Sequence, residues 1–599
     1  MKHLLVCLWL LGGLAWAQPP AANLIANVPG RAMISLDGTW NTIVDPYEIG
    51  LGSRFYQNAK PKDKTQLVEY DFDASEKLHV PGDWNTQRET LLFYEGPVWY
   101  QRYFSYHKRP NTRVFVYFAA ANYQARVWMN GKKVGEHVGG FTPFNFDVSE
   151  EVADGDNSIV VEVNNTRSKD GVPALSTDWW NYGGLTRSVE LIEVPETFIQ
   201  DYSVQLAKGR TDEVVGWVQL NGGSGQHEVT IEIPEAHVKQ TAQLTAVGYA
   251  AFNFSAKLTL WSPENPKLYR VIISGGGDTI TDEIGFRTIE TRGTQIVLNG
   301  KPIFLRGVSL HEEAPFRGGR AFSEEDDRIL LEWGKDLGCN FVRLAHYPYN
   351  ESMIRLADRM GVLVWSEVPV YWGIAWENPS TLENAEEQMR DMIARDHNRA
   401  AVILWSLSNE TPVDPGRTEF LKTLAAYARQ LDSSRLITSA MNHTDSSTPG
   451  IRSLNDPLGE YLDVLGLNEY LGWYEGRTED ADHMQWKTAF DKPLIVSEFG
   501  AGAVYGKHGD SDTRFSEEYQ ANLFEHQMKM LKRVPSLAGM SPWVLMDFRS
   551  PRRPLSGIQD FHNRKGLISD RGQRKQAFYV LQKYYRKMAE DTSPSQGEP

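Results

Sequence analysis

Ile403-Leu404-Trp405-Ser406-Leu407-Ser408-Asn409-Glu410 is an apolar run that stops abruptly at an amide and a carboxylate. Strands buried on both faces read as near-continuous hydrophobic runs. In a barrel of such strands, reactive groups stand just past the carboxyl ends. Leu494-Ile495-Val496-Ser497-Glu498-Phe499-Gly500 repeats the pattern further along the chain. One such Glu is as well explained as a polar strand end. Two apolar strands that both end in Glu are what acid–base chemistry on a glycosidic bond requires.

Outward from these strands, the chain from about Thr291 alternates helical and strand patterns. Helices are expected over 323–337, 351–360, 382–396, 418–431 and 517–531. Strands are expected at 341–344, 362–365, 436–438, 464–467 and 538–545. Ser323 followed by four acidic residues is a helix start, because a hydroxyl caps free N–H groups and carboxylates suit the positive end of the helix. The alternation predicts a (β/α)8 barrel over 291–590, with a doubly wound sheet as the alternative. The strand ends then gather a polar ring of His311, Glu312, Glu313, His346, Tyr347, Glu367, Asn409, Glu410, Asn468, Glu469, Tyr470, Glu498, Trp543 and Asp547.

Before the barrel the pattern is β. Residues 30–195 carry short alternating strands such as Val114–Phe118 and Ala125–Met129, with a hairpin signal at Asn130-Gly131. They predict a jelly-roll sandwich, and residues 196–290 a second, immunoglobulin-like one. Trp261-Ser262-Pro263-Glu264-Asn265-Pro266 is too rich in proline for a central strand and reads as a surface loop.

Composition narrows the function. The 599 residues exceed one core, so about three domains are expected. A net charge of −15 gives no reason to expect nucleic acid, and an anionic substrate would need local cations. The 18 tryptophans suit both cores and flat sugar platforms. Residues 1–17, with Lys2, an apolar stretch and Ala15-Trp16-Ala17, read as a cleavable signal, implying a periplasmic or secreted protein. No segment is long and apolar enough to span a membrane. Cys7 would leave with the signal. Cys339 would remain alone as an apolar filler, without a disulfide or a zinc pattern.

Several stretches resemble glycoside hydrolase family 2. They are Val80-Pro81-Gly82-Asp83-Trp84-Asn85, Tyr94–Tyr100, Val127–Gly131, Gly139–Phe144, His346-Tyr347-Pro348-Tyr349, Trp405–Glu410 and Ser497–Gly500. The resemblance spans residues from about 30 to 585. It implies jelly roll, immunoglobulin-like sandwich and TIM barrel in that order, and a retaining mechanism with Glu410 as acid/base and Glu498 as nucleophile. Asn409, beside Glu410, is placed to hold a sugar 2-hydroxyl.

Within the family, Asn563-Arg564-Lys565 resembles the Asn-x-Lys loop with which β-glucuronidases grip the sugar carboxylate, although Asn-Arg-Lys-Gly is also good turn chemistry. By the same resemblance Asp178, Tyr470 and Tyr474 line the sugar site, and His346 and Trp543 join them from the ring of strand ends. Glu469 and Leu471 depart from the pattern, standing where well-known glucuronidases carry Arg and Tyr. Gln559 stands where some carry Arg. Arg549, Arg552 and Arg553 lie close in sequence and offer replacement cations. The expectation is an exo-acting β-glucuronidase, with a β-galacturonidase or a β-galactosidase acting on algal or plant polysaccharide fragments as alternatives. No cofactor or metal is required by this chemistry. A non-catalytic sugar-binding protein would need a catalytic carboxylate missing, and both are present. Homo-oligomerisation is left open.

Overall fold

A computed structural model describes residues 24–222, 228–445 and 448–592. The signal read at 1–17 and Cys7 therefore lie outside the described residues. The first sandwich packs a six-stranded sheet against a four-stranded one. Strands 97–106 and 155–164 form the middle of the larger sheet, and 112–118 pairs with 189–195 in the smaller. Trp40, Trp84, Tyr100, Val116, Phe118, Val161 and Leu191 fill one core between them. The Asn130-Gly131 turn joins strands 124–129 and 132–138, with both residues at positive φ (52° and 81°). That is the two-residue hairpin geometry Asn-Gly favours.

The second sandwich opposes a three-stranded sheet (198–206, 213–221, 249–255) to a four-stranded one (228–233, 238–243, 268–275, 278–285). Its core holds Tyr202, Val204, Val218, Ile231, Phe252, Val271 and Ile273. The loop at 261–266 forms no long strand, as its prolines require, but Trp261 is fully buried and donates to the Asp358 carbonyl at 2.9 Å. The expected surface loop is thus also an anchor onto the barrel.

The barrel has eight parallel strands. β1 is interrupted, as Leu305–Arg306 and Ser309–Leu310. Its first half pairs with the last strand and its second half with the next, so the sheet closes on itself. The others are β2 (Phe341–Leu344), β3 (Leu363–Glu367), β4 (Val402–Asn409), β5 (Leu436–Asn442), β6 (Leu465–Asn468), β7 (Leu494–Glu498) and β8 (Leu537–Met540). Helices α1 (Glu324–Leu337), α2 (Glu351–Met360), α3 (Pro379–Asp396), α4 (Pro415–Leu431), α5 (Glu517–Leu531) and α6 (Gln576–Thr592) surround it. The crossovers after β5 and β6 use short 3-10 turns instead of α-helices.

Ser323 opens α1 through a capping box with Asp326. The strand expected over 538–545 stops at Met540, before Pro542, which has no N–H for a ladder. Its remainder, including Trp543, becomes a loop that enters the site. Cys339 is buried and free, as an apolar filler should be.

The first sandwich is locked to the barrel by charge. Arg187 donates to both oxygens of Glu312 at 2.9 and 3.0 Å, and Arg320 donates to the same carboxylate at 3.1 Å. All three side chains are buried. An unpaired charge there would be strongly destabilising, so the seam is held in one register. No helix among the described residues is long and apolar enough to cross a membrane.

Candidate active site

β4 and β7 deliver their terminal carboxylates to the same mouth of the barrel. Glu498 ends β7, where Arg343 Nη1 donates to its Oε1 at 2.7 Å and Tyr470 Oη donates to its Oε2 at 2.7 Å. Burial and the neighbouring Glu410 push the Glu498 carboxyl above its usual range, while Arg343 and the Tyr470 hydrogen bond pull it back. Arg343 itself is held firmly charged by Glu367 and Glu498. Glu498 therefore sits beside a permanent cation, which opposes the burial that favours its protonated form.

Glu410 follows β4 with φ at 51°, a left-handed turn that swings its side chain out of the strand line. It is partly exposed. Its two oxygens accept from neutral donors: Asn468 Nδ2 at 2.9 Å and Trp372 Nε1 at 3.0 Å. The two carboxyl groups thus differ in a way that divides labour. One is clamped by a guanidinium, and the other meets only an amide and an indole.

Arg343 organises the floor. Besides Glu498 it reaches Glu367 Oε1 at 3.0 Å and Asn409 Oδ1 at 2.8 Å. Asn409 Oδ1 also accepts from Asn468 at 3.2 Å, so the orientation of its amide is fixed and Nδ2 is left to donate elsewhere. Glu367 accepts from His346 Nδ1 at 2.9 Å and Trp365 Nε1 at 2.8 Å; burial works against its charge, but Arg343 and the His346 hydrogen bond hold it below the usual carboxylate range. With that carboxylate on Nδ1, the His346 ring is fixed and Nε2 faces away from it. The ring stacks on Trp543 with centroids 4.8 Å apart, and Trp179 from the first sandwich leans over it at 5.6 Å.

The distal part of the site spans two domains. Asp178, on a buried loop of the first sandwich, accepts from Ser550 Oγ at 2.5 Å, Asn563 Nδ2 at 3.1 Å and Arg553 Nε at 3.1 Å, with a further bond from Arg553 Nη2. Lys565 Nζ donates to Tyr474 Oη at 2.6 Å. It lies over three rings, 5.3 Å from the Tyr470 centroid, 5.8 Å from Trp473 and 4.7 Å from Tyr474. The 563–566 loop is shaped from below: Asp547 accepts from Gly566 N at 2.9 Å and from Lys575 Nζ at 2.7 Å.

Every residue singled out from the sequence as a site residue, Asp178, His346, Asn409, Glu410, Tyr470, Tyr474, Glu498, Trp543, Asn563 and Lys565, belongs to this connected set. Other members of the expected polar ring do not face it. Glu312 is consumed by the domain seam, Glu313 accepts from Tyr182 Oη at 2.7 Å, and Asp547 supports the loop. Glu469, one of the departures from the glucuronidase pattern, is fully buried and paired with Arg452. His311 lies behind the site, stacked on Phe548 at 3.9 Å.

Two participants were missed. Arg343 lies inside an apolar strand, and a charge in such a strand is itself a signal, because it must find a buried partner. Trp372 sits on a loop after β3, and nothing in its surroundings in the chain points to Glu410.

Three family models tile the chain: glycosyl hydrolases family 2, sugar binding domain, over 33–195; glycosyl hydrolases family 2 over 197–287; and glycosyl hydrolases family 2, TIM barrel domain, over 289–590. The chain is 30% identical over 630 residues to a β-glucuronidase of Canis lupus familiaris, covering 94% of this chain and 92% of that protein. It is 28% identical to one of Paenibacillus borealis, covering 94% and 98%. A β-glucuronidase from Ruminococcus gnavus solved in complex with D-glucuronic acid superposes with a TM-score of 0.80 at 27% identity, over 95% of this chain and 99% of that one. Together with the barrel and its paired carboxylates, these matches place the chain in glycoside hydrolase family 2, as a glycoside hydrolase enzyme.

Proposed function

We propose that the protein is a retaining exo-β-glucuronidase that releases terminal β-D-glucuronic acid from glycosides or oligosaccharides. The observation that carries this reading is Lys565. A buried ammonium hydrogen-bonded to Tyr474, with Asn563 beside it, stands on the same face as the carboxylate pair. An ammonium with spare donors suits a sugar carboxylate through charge-assisted bonds. The relatives named above are β-glucuronidases, which supports the same choice.

The chemistry follows from the division of the carboxyl groups. Glu498, ionised beside Arg343, attacks the anomeric carbon while Glu410 gives its proton to the leaving oxygen. A glycosyl ester on Glu498 results. Glu410, now a carboxylate, takes a proton from water as that water attacks the same carbon, and Glu498 departs. Asn409 Nδ2 donates to the 2-hydroxyl as the oxocarbenium-like charge develops. Tyr470 keeps its proton, because burial and Glu498 push the phenol far above its usual range, and so serves Glu498 only as a donor.

Hydrolysis of p-nitrophenyl β-D-glucuronide, β-D-galacturonide and β-D-galactoside tests the reading. The glucuronide is expected to be the best substrate. Efficient cleavage of the galactoside with none of either uronide would overturn it. We also propose export to the periplasm or beyond, resting on residues 1–17 alone; N-terminal sequencing of protein recovered from the source cell should begin near Gln18.

A further inference from the structure

We propose that Arg553 is the second cation of the uronate subsite, replacing the arginine absent at positions 469 and 559, and that it also neutralises Asp178 so that the buried acid does not repel the substrate. The inference rests on the glucuronidase reading above and adds a residue to it.

The three arginines that follow β8 have different fates. Arg549 lies 5.6 Å from the Trp180 ring centroid. Arg552 is exposed, packs over Trp372 at 4.7 Å and donates to Ser176 Oγ at 2.9 Å. Arg553 turns inward. Its Nε and Nη2 fork onto Asp178, and Nη2 also donates to Tyr474 Oη at 3.2 Å, the same phenol oxygen that accepts from Lys565 Nζ at 2.6 Å. Two cations therefore converge on one phenol oxygen. Among the described residues nothing accepts a hydrogen bond from Nη1 of Arg553, and the side chain retains 20% exposure. A guanidinium with one edge anchored and one edge open is set up to grip a planar carboxylate.

The charge balance points the same way. Asp178, Arg553 and Lys565 sum to one positive charge, which an incoming uronate would neutralise. Without Arg553, Asp178 would cancel Lys565, and the subsite would offer a carboxylate no net attraction. Asp178 and Lys565 are themselves buried, so between them such differences are less screened than in open solvent. Nothing comparable stands at position 469, where the side chain is an acid committed to Arg452.

The test is steady-state kcat/KM of wild type, Arg553→Gln and Arg553→Lys on the p-nitrophenyl β-D-glucuronide and β-D-glucoside, which differ only at C6, together with Tm. A lost charge-assisted contact predicts a fall of about tenfold to a hundredfold on the glucuronide for Arg553→Gln. The uronide-to-glucoside ratio should fall at least about tenfold, with part of it restored in Arg553→Lys. Inhibition by free D-glucuronate supplies a readout that needs no turnover of a neutral sugar; its inhibition constant should rise by a similar factor in Arg553→Gln. Equal losses on both substrates with a lowered Tm would make Arg553 a strut between domains and nothing more. An unchanged ratio and inhibition constant would also overturn the proposal, while wild-type glucuronide turnover left the parent reading standing. Wild type that cleaves only the neutral glycoside would remove both.

Discussion

Arg343 donates to Glu498 at 2.7 Å from the centre of the barrel, where neither side chain has more than slight contact with solvent. The same guanidinium also holds Glu367 and Asn409, so one cation acts on both the charge of the proposed nucleophile and the orientation of the proposed 2-hydroxyl donor. A single ammonium cannot reach all three. Arg343→Lys is therefore expected to fold but to lose about two orders of magnitude in kcat. The sign of its pH effect is determined as well. A weaker cation contact leaves Glu498 more readily protonated, so the acidic limb of kcat/KM moves to higher pH. An acidic limb that stays in place would show that Arg343 does not control Glu498. Arg343→Met, which leaves two buried carboxylates unpaired, should lose about 3–5 kcal/mol of stability, readable in denaturant melts.

The assignment of acid/base and nucleophile can be separated by product stereochemistry. In Glu410→Ala a good leaving group such as 2,4-dinitrophenolate still departs without protonation, and Glu498 is still glycosylated. Water then lacks its base and the intermediate persists. Azide needs no base, so it should restore turnover by at least about tenfold and give the β-glycosyl azide, identifiable by NMR. Recovery of an α-azide, or rescue confined to Glu498→Ala, would reverse the two roles.

Much of the fold could be read from the chain because each barrel strand is a short apolar run bounded by polar residues, and because the sandwiches alternate with period two. The catalytic face could be read because β4 and β7 announce their ends with Glu. What stayed hidden is of a different kind. Arg343 was masked by the apolar strand that carries it, and its partners come from three other strands. Arg553 and Asp178 are 375 residues apart and in different domains, so no local pattern predicts their contact. Glu312 and Glu313 looked like site residues because they sit at a strand end, yet the first sandwich covers that sector of the mouth and claims both.

Glu469 supplies a prediction about what will not work. By the family resemblance it stands where well-known glucuronidases carry arginine, so Glu469→Arg is the obvious attempt to strengthen uronate binding. Here the side chain is fully buried, accepts from Arg452 and caps the Leu471 amide. A second arginine would face Arg452 with only the more exposed Glu475 left to balance the two cations, and would leave that amide unsatisfied. The variant should lose about 3–5 kcal/mol of stability and should not improve KM for the glucuronide. A lower KM with an unchanged Tm would show that the 469 side chain can reach the sugar.

The seam between the first sandwich and the barrel should also leave a mark on stability against pH. Glu313 is buried, and burial raises its carboxyl from the ordinary 4.5 to about 7, against the opposing pull of the Tyr182 hydrogen bond. A carboxyl with its pKa raised by folding binds more protons in the native state than in the unfolded state between those two values. Its contribution therefore favours folding below about pH 4.5 and is lost progressively as pH rises toward 7. Glu313→Gln keeps an acceptor for Tyr182 but cannot ionise. Relative to wild type it should be near neutral in stability at pH 4.5 and stabilising by up to about 3 kcal/mol at pH 8. Paired Tm measurements across that range check it. A difference between variant and wild type that is flat with pH would mean that Glu313 is solvated or ion-paired in solution. The same comparison bears on catalysis, because Glu313 lies on the loop that joins β1 to α1 and touches none of the reacting groups. The variant should therefore keep its kcat, and any gain in stability could be used to support weaker variants at Arg343 or Glu469.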